Sequence, residues 1–367
     1  MNFPGLDPAW TLTHHATHYL GLTRTWPLLE ARTVLAHDEK VLVVASTALG
    51  DSILTTPLIE TLFQRLGPGR VSLLVKAPYA DLYKNDPRLH RLFTVRGKYR
   101  WSYLRRDLRN DPHRIALLAN LTEPDLIPWL WWCGVRGFLR YRTRWTSYPR
   151  WIANEDMLRR PGDDGYATGH AIDNNLAMAE ALRLEPVSRH LSLPHLNAEV
   201  GTHERRILIH PGASREFKRW PVENWARLAD TLAAQFDCAI GLTGDRSELA
   251  LAAIIAARMK SPSQVLAGKL TLSELGRTQG RAVAFLSGDT GPYHLALAVG
   301  CPTLTLFAPL DRGSSTESCG PHQANPVLHR TLQTVNMGDS ISSISFEQVL
   351  AAASEVVAAS LARSVKI

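Results

Sequence analysis

Short, uninterrupted apolar runs alternate with segments of helical period over most of this chain. Lys40–Ser46 (KVLVVAS) is continuous and β-branched, the pattern of a strand buried on both faces. Thr47–Asp51 (TALGD) follows as a tight loop. Ser52–Leu66 then sets Leu54, Leu58, Leu62 and Phe63 at helical spacing until Gly67, Pro68 and Gly69 stop it. Pro57, in the early turns, predicts a bend or a later start. Arg70–Lys76, His90–Val95 and His113–Ala119 read as further strands. Gly169–Leu184 reads as a helix with Ile172, Leu176, Ala179 and Leu182 on one side.

Glu185–Glu204 holds two prolines and has no period, and the same grammar then restarts. Strands are expected at Arg206–His210, Cys238–Leu242, Ala282–Leu286 and Pro302–Phe307. Helices are expected at Val222–Gln235, Ser247–Met259, Leu272–Gly280, Pro292–Val299 and Phe346–Ala362. Alternation of this kind predicts parallel sheets with helices on both faces. The expected organisation is an N-terminal extension over 1–39, one α/β domain over 40–185 and a linker over 186–204. A second α/β domain covers 205–345 and a C-terminal helix 346–367.

Composition narrows the class. A length of 367 residues fits two domains at roughly 150 residues each. No apolar run reaches the ~18 residues of a membrane span, and the first residues lack the pattern of a secretory signal. Cys133, Cys238, Cys301 and Cys319 stand far apart, which argues for a reducing compartment and against a disulfide framework or zinc site. A soluble, cytoplasmic, two-domain protein is expected. His14, His15 and His18 have no acidic or Cys neighbour, and no D-x-D triplet occurs, so no metal site is expected.

Charge is uneven. Between Arg96 and Arg160 stand 14 Lys/Arg and 6 Asp/Glu, while the remaining 27 basic and 28 acidic residues nearly cancel. That window also holds six of the ten tryptophans: Trp101, Trp129, Trp131, Trp132, Trp145 and Trp151. It reads either as a surface for an anionic partner or as a solvated basic face beside a tryptophan-rich core.

Four places could carry chemistry. Asp51, after Leu49 and Gly50, stands where a helix cap or a general base would stand, and spacing alone favours the cap. His210-Pro211-Gly212-Ala213-Ser214 leads from a strand into Lys218-Arg219-Trp220-Pro221, an order suited to a phosphate. Ser287-Gly288-Asp289-Thr290-Gly291-Pro292-Tyr293-His294 opens a helix whose first amides would accept an anion, or is simply a well-capped helix start. Gly244-Asp245-Arg246-Ser247-Glu248 offers a carboxylate for ribose, or an ordinary turn. Neither the Gly-rich dinucleotide fingerprint nor the nucleotide phosphate loop is present.

In this order the pieces resemble glycosyltransferase family 9, the lipopolysaccharide heptosyltransferases. The stretches that carry the likeness are VLVVASTALGDSILTTPLIETL, ILIHPGASREFKRWPVENWARLA, GLTGDRSELALA, LAGKLTLSEL and FLSGDTGPYHLALAVGCPTLTLFAP, with SISSISFEQVLAA late in the chain. The resemblance implies an α/β fold of GT-B type, with two Rossmann-like, doubly wound domains facing a central cleft. It implies a glycosyltransferase of the hexosyl/heptosyl class that moves heptose from ADP-heptose to a lipopolysaccharide inner-core acceptor, inverting and metal-independent, with no cofactor.

Carried over, Asp51 would be the catalytic base, Lys218 would hold the diphosphate, and Glu248 would touch the ribose. Asp289, Thr290, Gly291 and His294 would hold diphosphate and sugar, with Ser214 and Arg215 on the same sugar-donor side. Arg136, Arg140, Arg142 and Arg144 become candidate contacts of the anionic acceptor. The implied partners are a nucleotide sugar, the lipopolysaccharide core and, peripherally, the inner membrane; nucleic acid is not expected. The alternatives are a family-9 enzyme with another sugar or surface glycan, and a non-catalytic nucleotide-sugar or nucleic-acid binder.

Overall fold

The computed structural model describes residues 35, 38–96, 104–119, 126, 130, 133–135, 137–139, 169–196, 204–310, 314–322 and 324–364. Arg136, Arg140, Arg142 and Arg144, the six window tryptophans and the histidines of the N-terminal extension lie outside the described residues. The chain divides into two compact units, Met1–Arg189 and His190–Ile367.

In the first unit, β1 (Val41–Ala45) runs parallel between β2 (Val71–Lys76) and β4 (Ile115–Leu118). β3 (Leu89–Val95) and β5 (Gly137–Leu139) lie outside them, giving the order β3-β2-β1-β4-β5. Every residue of β1 is buried, as its unbroken apolar run requires. After β1 the chain enters α1 (Leu49–Leu54) and, at once, α2 (Thr56–Leu66). The single helix expected over Ser52–Leu66 is thus two. Pro57 cannot donate a helical hydrogen bond and is tolerated only in a first turn, so it marks the start of the second helix. Leu58 and Leu62 of α2 are fully buried, worth roughly 1.5–3 kcal/mol each. A later helix, α4 (Ala171–Ala181), is tied to this region when Asn175 Nδ2 donates to the Leu54 carbonyl at 3.1 Å; α3 is the short helix Leu104–Asn110.

The second unit repeats the plan. β6 (Glu204–His210), β7 (Ala239–Leu242) and β8 (Ser263–Val265) build outward one way. β9 (Ala282–Gly288), β10 (Thr303–Phe307) and β11 (His329–Gln333) build the other, giving β11-β10-β9-β6-β7-β8, all parallel. In both sheets the order turns back at the first strand, and in such sheets ligands sit beyond the carboxyl ends at that point. The core of the second unit joins Trp225, Leu228 and Leu232 of α5 (Val222–Phe236) to Val349, Ala353 and Val356 of the C-terminal helix Phe346–Ser364. Strands β5, β8 and β11 fell outside the sequence reading. β8 and β11 are edge strands with polar residues such as Ser263, Gln264, Arg330 and Gln333, and β5 is three residues long, so none carries a hydrophobic signature. Among the described residues no helix is long and apolar enough to cross a membrane.

Edge strand β11 carries a titration that couples to stability. His329 Nδ1 meets Thr303 Oγ1 at 3.1 Å, and burial, with Arg363 and His190 adding, holds its imidazole down at about 4 from an ordinary 6.5. A base with a depressed folded pKa binds more protons when unfolded. Its contribution is therefore whole above about pH 6.5 and is lost as pH falls toward 4. The unfolding free energy from urea titration should fall over that window, by about 3 kcal/mol at most from this group. His329→Asn should make the fall shallower, and an unchanged slope would remove His329 from the account.

Candidate functional site

The carboxyl edge of the second sheet collects most of the candidate residues. The register places His210, at the end of β6, beside Ser287 of β9. From β6 the chain turns through Pro211, Gly212 and Ala213, passes exposed Ser214 and Arg215, and makes the short 3₁₀ turn Glu216–Lys218. The next residues lock that loop. Arg219 folds back, its Nε and Nη2 donating to the Ala213 carbonyl at 3.1 and 2.9 Å. Trp220 is buried against Trp225 and Phe346, and its indole N–H donates to the Ile344 carbonyl at 3.1 Å. Pro221 caps the start of α5. Within this K-R-W-P run, Lys218 alone turns toward the end of β9.

Lys218 Nζ lies 2.6 Å from Asp289 Oδ2, and both side chains are largely buried. Asp289 Oδ1 stands 4.0 Å from His294 Nε2. The backbones are as close as the charges: a side chain at Gly288 would come within 3.1 Å of the Lys218 carbonyl. Helix α8 (Gly291–Ala298), which follows α6 (Leu249–Arg258) and α7 (Leu272–Arg281), opens directly after Thr290, with Pro292 in its first turn. The hydroxyls of Ser287 and Thr290 are buried without a hydrogen-bond partner among the described residues, the mark of a place completed by water or ligand. A lysine, first-turn amides and orphaned hydroxyls converge here, a combination suited to an anion with several oxygens.

Glu248 forms the second cluster of the same edge. Asp245 caps the 3₁₀ turn Arg246–Glu248: its Oδ1 accepts the Ser247 amide at 2.7 Å and the Glu248 amide at 3.2 Å. These bonds, the Ser247 hydroxyl foremost, hold the Asp245 carboxyl below its usual range. Glu248 Oε2 reaches back to the Asp245 amide at 2.8 Å and stands 3.8 Å from His210 Nε2. Burial pushes the His210 imidazole pKa down, against the pull of Glu248 and Asp245. Glu248 Oε1 occupies the space that any Cβ at Gly212 would take, so the carboxylate rests directly on the backbone of the turn after β6.

Asp51 belongs to the first unit and stands apart from these clusters in the chain. Sequence spacing favoured a cap at Asp51; the N-cap residue is Ala48, and Asp51, third residue of α1 after Leu49 and Gly50, closes the helix start with its side chain. Its Oδ2 accepts the Ala48 amide at 3.3 Å, long for such a bond. The side chain is half-buried at the carboxyl end of β1. Tyr83 fixes the next residue: its hydroxyl donates to the Ser52 carbonyl at 3.1 Å and meets the Ser52 hydroxyl at 3.0 Å. Burial raises the Tyr83 phenol far above its ordinary range. Sequence reasoning missed Tyr83 because a tyrosine in a short turn has no signature apart from its partner. It passed over His210 as part of a motif, although a histidine at a strand end before Pro-Gly is a visible signal.

The described residues thus bring Lys218, Asp289, Thr290, Gly291 and His294 together, with Glu248 on the same sheet edge. Among them no group of three or more His, Cys, Asp or Glu is arranged to hold a metal ion. Residues 169–342 match the model of glycosyltransferase family 9 (heptosyltransferase), a span that holds all of these second-unit residues. The Escherichia coli protein named lipopolysaccharide heptosyltransferase 3 is 23% identical over 285 residues, covering 71% of this chain and 81% of that protein. A solved family-9 glycosyl transferase from Veillonella parvula superposes with a TM-score of 0.69 at 20% identity, over 89% of this chain and 99% of the other. An E. coli heptosyltransferase solved with ADP-2-deoxy-2-fluoro heptose gives 0.65 at 19% identity, over 86% and 99%. These solved structures share the fold, two α/β units of GT-B-like type. The matched segment, the motifs inside it and the named relatives together support recognition of the chain as similar to glycosyltransferase family 9 (heptosyltransferase).

Proposed function

We propose that this protein transfers heptose from ADP-heptose to an anionic inner-core lipopolysaccharide acceptor, inverting the anomeric carbon and using no metal. The observation that carries the reading is the convergence of Lys218, the first amides of α8 and two unpartnered buried hydroxyls at one sheet edge. The named relatives, one of them bound to an ADP-heptose analogue, direct the choice of sugar. The reading carries with it a cytoplasmic working place beside the inner membrane.

Chemistry assigns the parts. An ammonium has three protons, so Lys218 can hold Asp289 and still donate to a phosphate oxygen. Asp289 is an anion and repels a diphosphate. Its part is to aim Lys218, with His294 on its other oxygen, and to accept from sugar hydroxyls. The amides of Thr290 and Gly291 face the phosphates, and as the leaving ADP gains charge these fixed dipoles stabilise it without rearranging. Glu248 takes ribose hydroxyls, with Ser214 and Arg215 on the neighbouring turn. Asp51 removes the proton of the acceptor hydroxyl, whose oxygen attacks the anomeric carbon opposite the departing diphosphate. The basic window, with Arg136, Arg140, Arg142 and Arg144, supplies the charge that an anionic acceptor calls for.

A panel of nucleotide sugars tested first for binding and then for transfer to truncated lipopolysaccharide checks the reading; ADP-heptose should bind and turn over, and failure with every donor would overturn it. In the same assay Asp51→Asn should abolish transfer and leave ADP affinity within about twofold, since the base acts on the acceptor; loss of ADP binding would remove it from that role. Lys218→Ala should weaken ADP binding by roughly tenfold or more, the scale of one charge-assisted hydrogen bond. It should also lower the melting temperature, because Asp289 is left buried and unpaired. Gly212→Ala displaces the Glu248 carboxylate. Calorimetry should show weakened binding of ADP but not of inorganic diphosphate, and equal losses for both would separate Glu248 from the ribose.

A further inference from the structure

A buried histidine faces the carboxylate of Glu248. His210 ends β6, and Ile209 before it pairs with Leu242 of β7. The ladder runs one step further, because the Thr243 amide donates to the Ile209 carbonyl at 2.8 Å. That step brings Thr243 up beside His210. On the other side lies β9, whose Ser287 is the register partner of His210. The imidazole is 5% exposed and is fixed by both neighbours. Its face stacks on Phe285 of β9 with ring centroids 6.2 Å apart, and its Nδ1 meets the Thr243 hydroxyl at 3.4 Å. The other nitrogen, Nε2, stands 3.8 Å from Glu248 Oε2. That is too far for a hydrogen bond and near enough for charge and dipole to act.

Thr243 has one hydroxyl proton and two acceptors in reach, the Ile209 carbonyl at 3.3 Å and His210 Nδ1. Given to the carbonyl, it forces the imidazole proton onto Nδ1 and turns the lone pair of Nε2 toward an anion. Given to Nδ1, it leaves the imidazole proton on Nε2, where an N–H faces the carboxylate. The charge of Glu248 favours the second arrangement. Burial holds the imidazole pKa down, so the ring orients the carboxylate without neutralising it. The two oxygens of Glu248 are therefore unlike. Oε2 accepts the Asp245 amide at 2.8 Å and faces His210. Oε1 lies in the space that Gly212 leaves open.

We propose that His210 is a positioning residue for the nucleotide: with the Asp245 amide it fixes Oε2 of Glu248, so that Oε1 is the oxygen presented to a ribose hydroxyl. The proposal rests on the reading of Glu248 as the ribose contact. His210 itself touches no part of the nucleotide. It acts on the preference for a ribose that carries its hydroxyls, and Thr243 sets the tautomer that lets it do so.

The test is calorimetry on the full chain with three probes: ADP, 2′,3′-dideoxy-ADP and inorganic diphosphate. The unaltered protein should prefer ADP to the dideoxy nucleotide, and Glu248→Ala should abolish that preference. His210→Leu keeps a similar volume and loses both ring nitrogens. It should weaken ADP about fivefold, the scale of one net polar contact, and leave the other two probes within about twofold. His210→Gln sets an amide N–H₂ near the place of Nε2 and should regain most of the loss, whereas the shorter His210→Asn should not. An unchanged preference for ADP in His210→Leu overturns the proposal and spares Glu248. Equal losses for all three probes also overturn it, by making the ring a support of the turn. If His210→Leu does not fold, the Gln and Asn variants decide, and equal ADP affinity in those two overturns the proposal. If the unaltered protein binds ADP and dideoxy-ADP alike, or the preference survives Glu248→Ala, the ribose reading of Glu248 falls and takes this proposal with it.

Discussion

A strand with a parallel neighbour on each edge and both faces buried has no surface left for chemistry. Every residue of β1 and of β9 is buried, and the polar backbone is satisfied only by the neighbouring strands. The candidate site residues therefore stand where each strand stops. Asp51 follows β1, and Asp289 follows β9. His210 ends β6, and Glu248 follows β7 after one capped turn. The same apolar runs that stabilise the sheets decide where chemistry can stand.

This is also why so much was legible in the sequence. A buried parallel strand announces itself as an uninterrupted apolar run, and the residues after it are thereby marked as an edge. The elements around Asp51, Gly212–Lys218 and Ser287–His294 could be placed from that grammar alone. Polar edge strands such as β8 and β11 could not, because half their surface faces water and their sequence resembles a loop. Nor could the exact seat of Asp51. The helix expected from Ser52 starts three residues earlier, at Leu49, which moves Asp51 from the cap position into the first turn. Tyr83 was invisible for a different reason: its partner Ser52 is some thirty residues away, so only the fold brings them together.

The ion pair of Lys218 with Asp289 changes what a basic residue in a phosphate motif means. A lysine on an exposed loop would carry its charge on a freely moving stem. Here the carboxylate that opposes it also holds it, and most of both side chains is out of solvent. A buried pair of this kind gives little net stability and is costly to break from one side. Its value lies in direction, because the ammonium is aimed before any anion arrives.

The locking of the loop after β6 has a kinetic meaning. Arg219 is pinned to the Ala213 carbonyl, Trp220 is set among Trp225 and Phe346, and Pro221 begins a helix, so three consecutive residues behind Lys218 are already immobilised. The entropy of ordering this segment is spent during folding, when the hydrophobic core forms. An anion arriving beside Lys218 would therefore meet a stiff receptor. Encounter there is governed by diffusion and charge, and residence time by how many oxygen contacts must break at once.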